Sequence, residues 1–456
     1  IVVTFRTVRS TREYKLDPLS CAYCAKCHDE CPTYEETGNE GYAARGKILL
    51  ASALRGDFPQ LPPSLLNGAV GAPDLPHSQQ LQEYLDFCLR CYHCLEVCPA
   101  QMATVPIFEA MRFELARKQP PSFLLRRIMR DILPNRGVTR GLSALAAFFQ
   151  PLMPVKRVRM NEKLRELVAA ARLRKGETSL QAGYPAAFWL GKEYPLPAGA
   201  GVRAWSLAEV ERQEVQPPER GTLAYFPDCL TDIHSPQAFA GTVKLLNHLG
   251  YRLKLVPDAP CCGASALNTG DEAAFHLMAR KYARALAGVD CDAVLFTNPT
   301  CFKTVKERYS EVLGAEELAK LPQPVLDVEL YAQLPAPKLR AGWERLKIAW
   351  HNPCALAYAL GDKATAEGVL RKWGLDATQF HEVDGCCGYG GMFYLRYPEF
   401  AAAQSVKKLR HWREADVDLA LSCSAGCISH LNATAIREGI AIPTVHWGEM
   451  GHFLER

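Results

Sequence analysis

Eight cysteines stand in two copies of one spacing, Cys21-x2-Cys24-x2-Cys27-x3-Cys31-Pro32 and Cys88-x2-Cys91-x2-Cys94-x3-Cys98-Pro99. Thiolates spaced this way hold paired [4Fe-4S] clusters, and the chemistry they bring is one-electron transfer. In such a pair the first three cysteines of a run bind one cubane and the fourth reaches across to the other. Cys98 is therefore expected to complete the site of Cys21, Cys24 and Cys27, and Cys31 that of Cys88, Cys91 and Cys94. The proline after each fourth cysteine cannot continue a helix and is expected to turn the chain away. Zinc, the alternative, takes four ligands that usually arrive in separated pairs, and it fits a duplicated tight run poorly.

A second group of thiols recurs by internal repetition. TLAYFPDC (222–229) matches KIAWHNPC (347–354) at an offset of 125 residues, and YRLKLVPDAPCCG (251–263) matches DATQFHEVDGCCG (376–388) at the same offset. DAVLFTNPTC (292–301) matches DLALSCSAGC (418–427) at 126. A fixed period of this kind marks a duplicated domain. Each copy supplies four aligned thiols: Cys229, Cys261, Cys262 and Cys301, then Cys354, Cys386, Cys387 and Cys427. Adjacent cysteines strain to bind one tetrahedral ion but can span two metal atoms of a cluster. Buried free cysteines also serve as small hydrophobes, yet eight thiols in register argue for ligands. Cys291 has no counterpart and reads as structural.

The elements that must position these residues differ between the two halves. Around the first runs, Gly41–Gly56 and Gln82–Glu96 read as helical. The next hundred residues hold helical pieces, FLLRRIMRDIL and NEKLRELVAAARLRK, separated by Pro134, Pro151 and Pro154. In each repeat, short apolar runs ending at a cysteine alternate with helical segments, which reads as βαβ units on a mostly parallel sheet. Chemistry in such sheets sits at the carboxyl ends of the strands, where Cys229, Cys301, Cys354 and Cys427 fall. The glycine of each Cys-Cys-Gly can take a positive φ and let backbone approach a bulky inorganic core. The expected fold class is α+β multidomain: a helical ferredoxin-like domain (1–118), a basic helical linker (119–218), and a duplicated Rossmann-like α/β pair (219–338 and 339–456) with pseudo-two-fold symmetry.

Composition bounds the rest. The 456 residues, 48% hydrophobic, suffice for several cores. Eighteen cysteines are too sparse for a disulfide scaffold, and their clustering points to reduced thiolates and a cytoplasmic setting. No leader-like segment opens the chain, and no apolar window of about eighteen residues reads as membrane-spanning. The overall charge of +4 conceals a segment, Arg117–Gly176, with fifteen Lys/Arg against three acids; that segment is +12, so the remainder is 4 − 12 = −8. This argues against nucleic-acid binding and for one local anionic contact, lipid on the inner face of the cytoplasmic membrane or a partner subunit, unless the basic stretches pack on their own protein.

Other motifs carry less. Gly388-Tyr389-Gly390-Gly391 lacks a Walker lysine and a full GxGxxG, so it reads as a tight turn. His351, beside Cys354, and His381, near the second triplet, are placed to donate to cluster sulfurs or relay protons, although an uninvolved histidine is the plainer reading. His446 and Trp447 have the same standing.

In these motifs the chain resembles the iron-sulfur subunit of bacterial glycolate oxidase and, more widely, the heterodisulfide reductase subunit family. CPTYEETGNEGYAARGKILL is similar to the segment after the first run in glycolate-oxidase-type subunits, and CLTDIHSP followed by CCG is similar to lactate-utilisation relatives. The resemblance implies a subunit that takes electrons from an FAD-containing 2-hydroxyacid dehydrogenase, of the glycolate or lactate type, and passes them to quinone or a membrane carrier. An alternative is a catalytic subunit that reduces a disulfide or another sulfur substrate. The family's Cys-Cys-Gly motif ends in Cys-x2-Cys, and five cysteines hold a noncubane cluster. Here Asn298 and Ser424 occupy the penultimate positions, so the first repeat departs from that pattern. The second recruits Cys423 only if the loop bulges, which would give Cys354, Cys386, Cys387, Cys423 and Cys427.

Overall fold

The structure, a computed structural model, describes residues 17–54, 79–149, 155–173, 177–181, 184–185, 219–256, 258–378 and 385–455. The amino-terminal module is helical. Lys26–Asp29 lies within the first cysteine run and carries Cys27, Pro32–Thr37 and Ala44–Leu54 follow it, and Thr104–Lys118 closes the module. Pro32 opens a helix rather than turning the chain away, because the first helical position needs no backbone donor. The expected helix Gln82–Glu96 is broken into Gln79–Asp86 and His93–Glu96. Between them the backbone wraps the second run, with Arg90 at φ 53° and Tyr92 at φ 62°.

The basic segment holds the helices Phe123–Arg127, Arg136–Phe149 and Glu162–Ala170, the first continued as a wider π turn over Ile128–Ile132 that ends before Pro134. Much of its charge is spent on the protein itself. Arg130 is hydrogen-bonded to Asp271 at 2.9 Å, Arg136 pairs with Asp232 at 3.0 Å, and Lys163 with Asp418 at 2.9 Å. Two short strands, β1 (Val155–Lys156) and β2 (Tyr184–Pro185), pair antiparallel.

Two four-stranded parallel sheets follow. The first comprises β3 (Gly221–Tyr225), β4 (Tyr251–Leu255), β5 (Ala293–Phe296) and β6 (Pro324–Leu326), in the order β4-β3-β5-β6. The second comprises β7 (Ile348–Trp350), β8 (Ala377–Thr378), β9 (Leu419–Ser422) and β10 (Thr444–His446), in the order β8-β7-β9-β10. Central strands β5 and β9 are buried along their whole length, which explains their apolar runs. One apolar core runs through both repeats, joining Tyr225, Phe296 and Tyr331 to Trp350, Trp447 and Phe453. The seam is tight: the helix Pro236–His248 lies on Trp447–Phe453, and a Cβ on Gly241 would meet the backbone of Glu449 at 2.7 Å. Trp447 Nε1 donates to the buried Asp327 carboxylate at 2.6 Å across the same seam. Among the described residues, no helix is long and apolar enough to cross a membrane.

Candidate metal centres

The amino-terminal cysteines gather into two adjacent sites. One small cavity is lined by Cys21, Cys24, Cys27 and Cys98, with Cys94 at its edge. The other is lined by Cys31, Cys88, Cys91 and Cys94. These are the crossed sets expected from the spacing. The backbone around them is strained in duplicate: Tyr23 (φ 50°) and Ala25 (φ 63°) stand where Arg90 and Tyr92 stand in the second run. A left-handed non-glycine residue costs on the order of 1 kcal/mol or more, and such strain collects where a site imposes it. Here it curls each run so that its thiols converge, which fits a cubane. Burial pushes Cys21, Cys27 and Cys94 up as free thiols, so neighbouring metal is needed to hold them as thiolates.

The eight repeat thiols all line a single cavity of about 330 Å³ between the two sheets. Strand geometry explains the convergence. Cys229 and Cys354 follow the first strand of each sheet, and Cys301 and Cys427 follow the third, the two neighbours whose connections diverge to opposite sides. Gly263 and Gly388 take φ of 89° and 87°, as the Cys-Cys-Gly turns require. Hydrogen bonds from Cys229 and Cys262 draw Cys261 well below the usual thiol range, and Cys354 and Cys387 do the same for Cys386. Cys427 is lowered to about 5 by Cys387 and then by His351. The donor set is thus soft, buried and partly pre-ionised, as a sulfur-ligated metal centre requires.

Cys423 is not among the cavity residues. It is fully buried in the same core cluster as Leu419 and Leu421, continuing the alternation of β9 by which residues two apart share a face. The loop does not bulge, and Ser424 takes the cavity position instead. Asn298 lines the cavity in the first repeat, its Oδ1 accepting from Thr300 N at 3.0 Å. Cys291 lies away from the cavity at the edge of the core. His446 is structural: its Nδ1 accepts from Gly448 N at 3.0 Å, and burial lowers it to about 4. His381 lies outside the described residues. The Gly388–Gly391 turn has positive φ at all three glycines and delivers Tyr389 to the cavity wall, packed on Gly426.

Several residues escaped sequence reasoning. Arg136 reaches from the basic segment to the carbonyls of Ala259 and Pro227, in the loops carrying Cys261 and Cys229. Arg90 lines both the second ferredoxin-type site and the repeat cavity, and Glu109 joins it to Arg308. Cys91 faces the second repeat: burial and then Cys386 raise it, and Cys91 in turn acts on Cys354. The long sequence separations of these partners left no local signal.

Comparison with known proteins agrees with this geometry. The model of the 4Fe-4S dicluster domain matches residues 18–102, and that of the cysteine-rich domain matches residues 223–306 and again 348–432. The chain thus carries a two-cluster ferredoxin-type module and two cysteine-rich domains, and it is an iron-sulfur protein with [4Fe-4S] clusters in the module and a further cluster in the repeats. Its kin are of the kind the motifs suggested. The glycolate oxidase iron-sulfur subunit of Escherichia coli (strain K12) is 25% identical over 453 residues, covering 94% of this chain and 92% of that one. A subunit of the dihydromethanophenazine:CoB--CoM heterodisulfide reductase of Methanosarcina barkeri is 24% identical over 433 residues, covering 91% and 88%. Lactate utilization protein A of Halalkalibacterium halodurans is 25% identical over 253 residues, covering 51% of this chain and 98% of its own.

Proposed function

We propose that this chain is the electron-relay subunit of an oxidoreductase complex, carrying single electrons from an FAD-containing 2-hydroxyacid dehydrogenase partner towards quinone or a membrane carrier. The observation that carries the reading is a continuous file of thiol sites. It starts at the exposed Cys24, runs through the two ferredoxin-type sets that meet at Cys94, and passes by Cys91 to Cys386 at the repeat cavity. The ligands are Cys21, Cys24, Cys27 and Cys98 for one cubane, Cys31, Cys88, Cys91 and Cys94 for the other, and the cavity-lining thiols for the repeats. The module, the basic linker and the two repeats act as units bounded near residues 118, 218 and 338, the repeats being Rossmann-like copies related by a pseudo-two-fold axis. Hydride chemistry belongs to the partner, because no flavin or nicotinamide fingerprint stands in this sequence. Anaerobic preparation tests the reading: about twelve or sixteen iron per chain, with a flavoprotein copurifying, is expected. About eight iron would remove the repeats from the path.

One observation favours the second reading, reduction of a disulfide or other sulfur substrate within the repeats. A pure relay needs only separate, closed sites, whereas here the thiol sets of both repeats face one shared cavity. There, two electrons from the file and two protons would cleave an S–S bond to two thiols. Turnover of a disulfide by the isolated holoprotein with a chemical reductant would establish it.

A further inference from the structure

Among the buried histidines of this chain, His351 is set apart by its surroundings. It directly follows β7, and its backbone N–H donates to Leu421 O at 2.8 Å, which extends the β7–β9 ladder and fixes its Cα at the cavity end of the sheet. The residue is 1% exposed, and the polar contact of its ring is with the thiol of Cys427. His446 and His452 instead bond to backbone, at Gly448 N and Gln237 O.

What His351 faces is two thiols. A ring nitrogen and the sulfurs of Cys387 and Cys427 lie within 4.8 Å of one another, the spacing of groups that share a metal centre. Cys354 and Cys386 stand on the neighbouring side, in contact with Cys387 through Cys386. In the first repeat the residue aligned with His351, at the same offset of 125, is Phe226, which offers no donor. The second repeat has also lost a thiol at Ser424, and Cys423 is turned into the core.

We propose that an imidazole nitrogen of His351 is a direct ligand of the metal centre in the second repeat, making a five-donor set with Cys354, Cys386, Cys387 and Cys427. The first repeat holds its centre through Cys229, Cys261, Cys262 and Cys301 alone. The inference rests on the reading that the repeat thiols bind iron-sulfur centres. Imidazole suits iron, and as a neutral fifth donor it leaves the centre one negative charge poorer than a fifth thiolate would. Histidine in place of thiolate raises the potential of iron-sulfur centres for this reason. The two repeats therefore differ in donor number, five against four, with the same number of thiolates.

Pulsed electron paramagnetic resonance on anaerobically prepared holoprotein tests this, with iron counted on the same sample. A one-electron centre is paramagnetic on one side of its couple, so spectra are taken across a redox titration of protein labelled with 15N-histidine. A strong histidine-nitrogen coupling of directly bound imidazole is expected, lost in His351→Phe and in His351→Cys. His351→Cys should retain the iron and lower the potential of that centre, which distinguishes ligation from packing. Should His351→Phe fail to fold, the labelled native protein still decides. About twelve or more iron with no strong histidine-nitrogen coupling, or only the weak coupling of an N–H···S hydrogen bond, overturns the inference and leaves the relay reading intact. About eight iron overturns the reading that the repeats bind iron, and this inference with it.

Discussion

Arg136 carries a positive charge into the interior beside the first repeat's cysteines. Its Nε donates to Ala259 O at 2.7 Å, one Nη donates to Pro227 O, and the other pairs with Asp232 at 3.0 Å. Arg140, at 3.4 Å, is a weaker second partner for the same buried carboxylate. Arg136→Ala leaves Asp232 underpaired and unties both cysteine loops, so a loss of about 3 kcal/mol is expected. Denaturant unfolding and iron counting should show a lower midpoint and iron lost from the first repeat alone, with the amino-terminal clusters retained. Arg136→Lys keeps the charge but cannot span three acceptors and should fall between. Unchanged iron and midpoint in Arg136→Ala would refute the clamp. Residue types such as the cysteine runs were legible in the sequence because ligand spacing is local. The role of Arg136 was not, because its meaning depends on Asp232, 96 residues away. Cys423 was legible as a thiol, yet its direction follows from strand parity, which the sequence left open.

At the scale of elements, the two Cys-Cys-Gly turns differ in how much room they leave. Both glycines have φ near 90°, where any side chain is strained. A Cβ on Gly263 would meet the Phe275 ring at 2.7 Å, and a ring can shift. A Cβ on Gly388 would collide with the backbone carbonyl of Ala401 in the helix Pro398–Glu414, which cannot yield without moving the helix. Gly388→Ala should therefore destabilise more than Gly263→Ala and empty the second repeat of iron, while Gly263→Ala retains most of it. Equal iron contents and unfolding midpoints would contradict this ranking. The parallel strands and the positive-φ turns were readable because the offset of 125 exposed each element twice. The helix expected over Gln82–Glu96 was not, since its periodicity is overridden where Cys88, Cys91 and Cys94 curl about a centre.

For the whole molecule, the basic segment has two faces. Ile128, Met129 and Leu133 wall the repeat cavity from inside. Outside, Phe123 is 73% exposed, Leu124 69%, Leu142 48% and Leu145 56%. Val138, Leu142 and Leu145 fall at helical spacing on Arg136–Phe149 and form one apolar stripe. If the proposed relay delivers electrons to a lipid-dissolved acceptor, this is the face on which contact with anionic membrane lipid is expected. Arg130 is a poor probe of it, because that side chain is committed to Asp271. Leu142→Gln with Leu145→Gln is the better one. Each half-exposed leucine contributes about 1 kcal/mol on burial, so the pair should weaken partition more than ten-fold. Co-sedimentation of holoprotein with anionic vesicles reads this out, and iron content should not change. Binding through the stripe should persist at a salt concentration that screens a purely electrostatic contact. Partition that the double variant leaves unaltered, or that salt abolishes in the native chain, would assign the contact elsewhere.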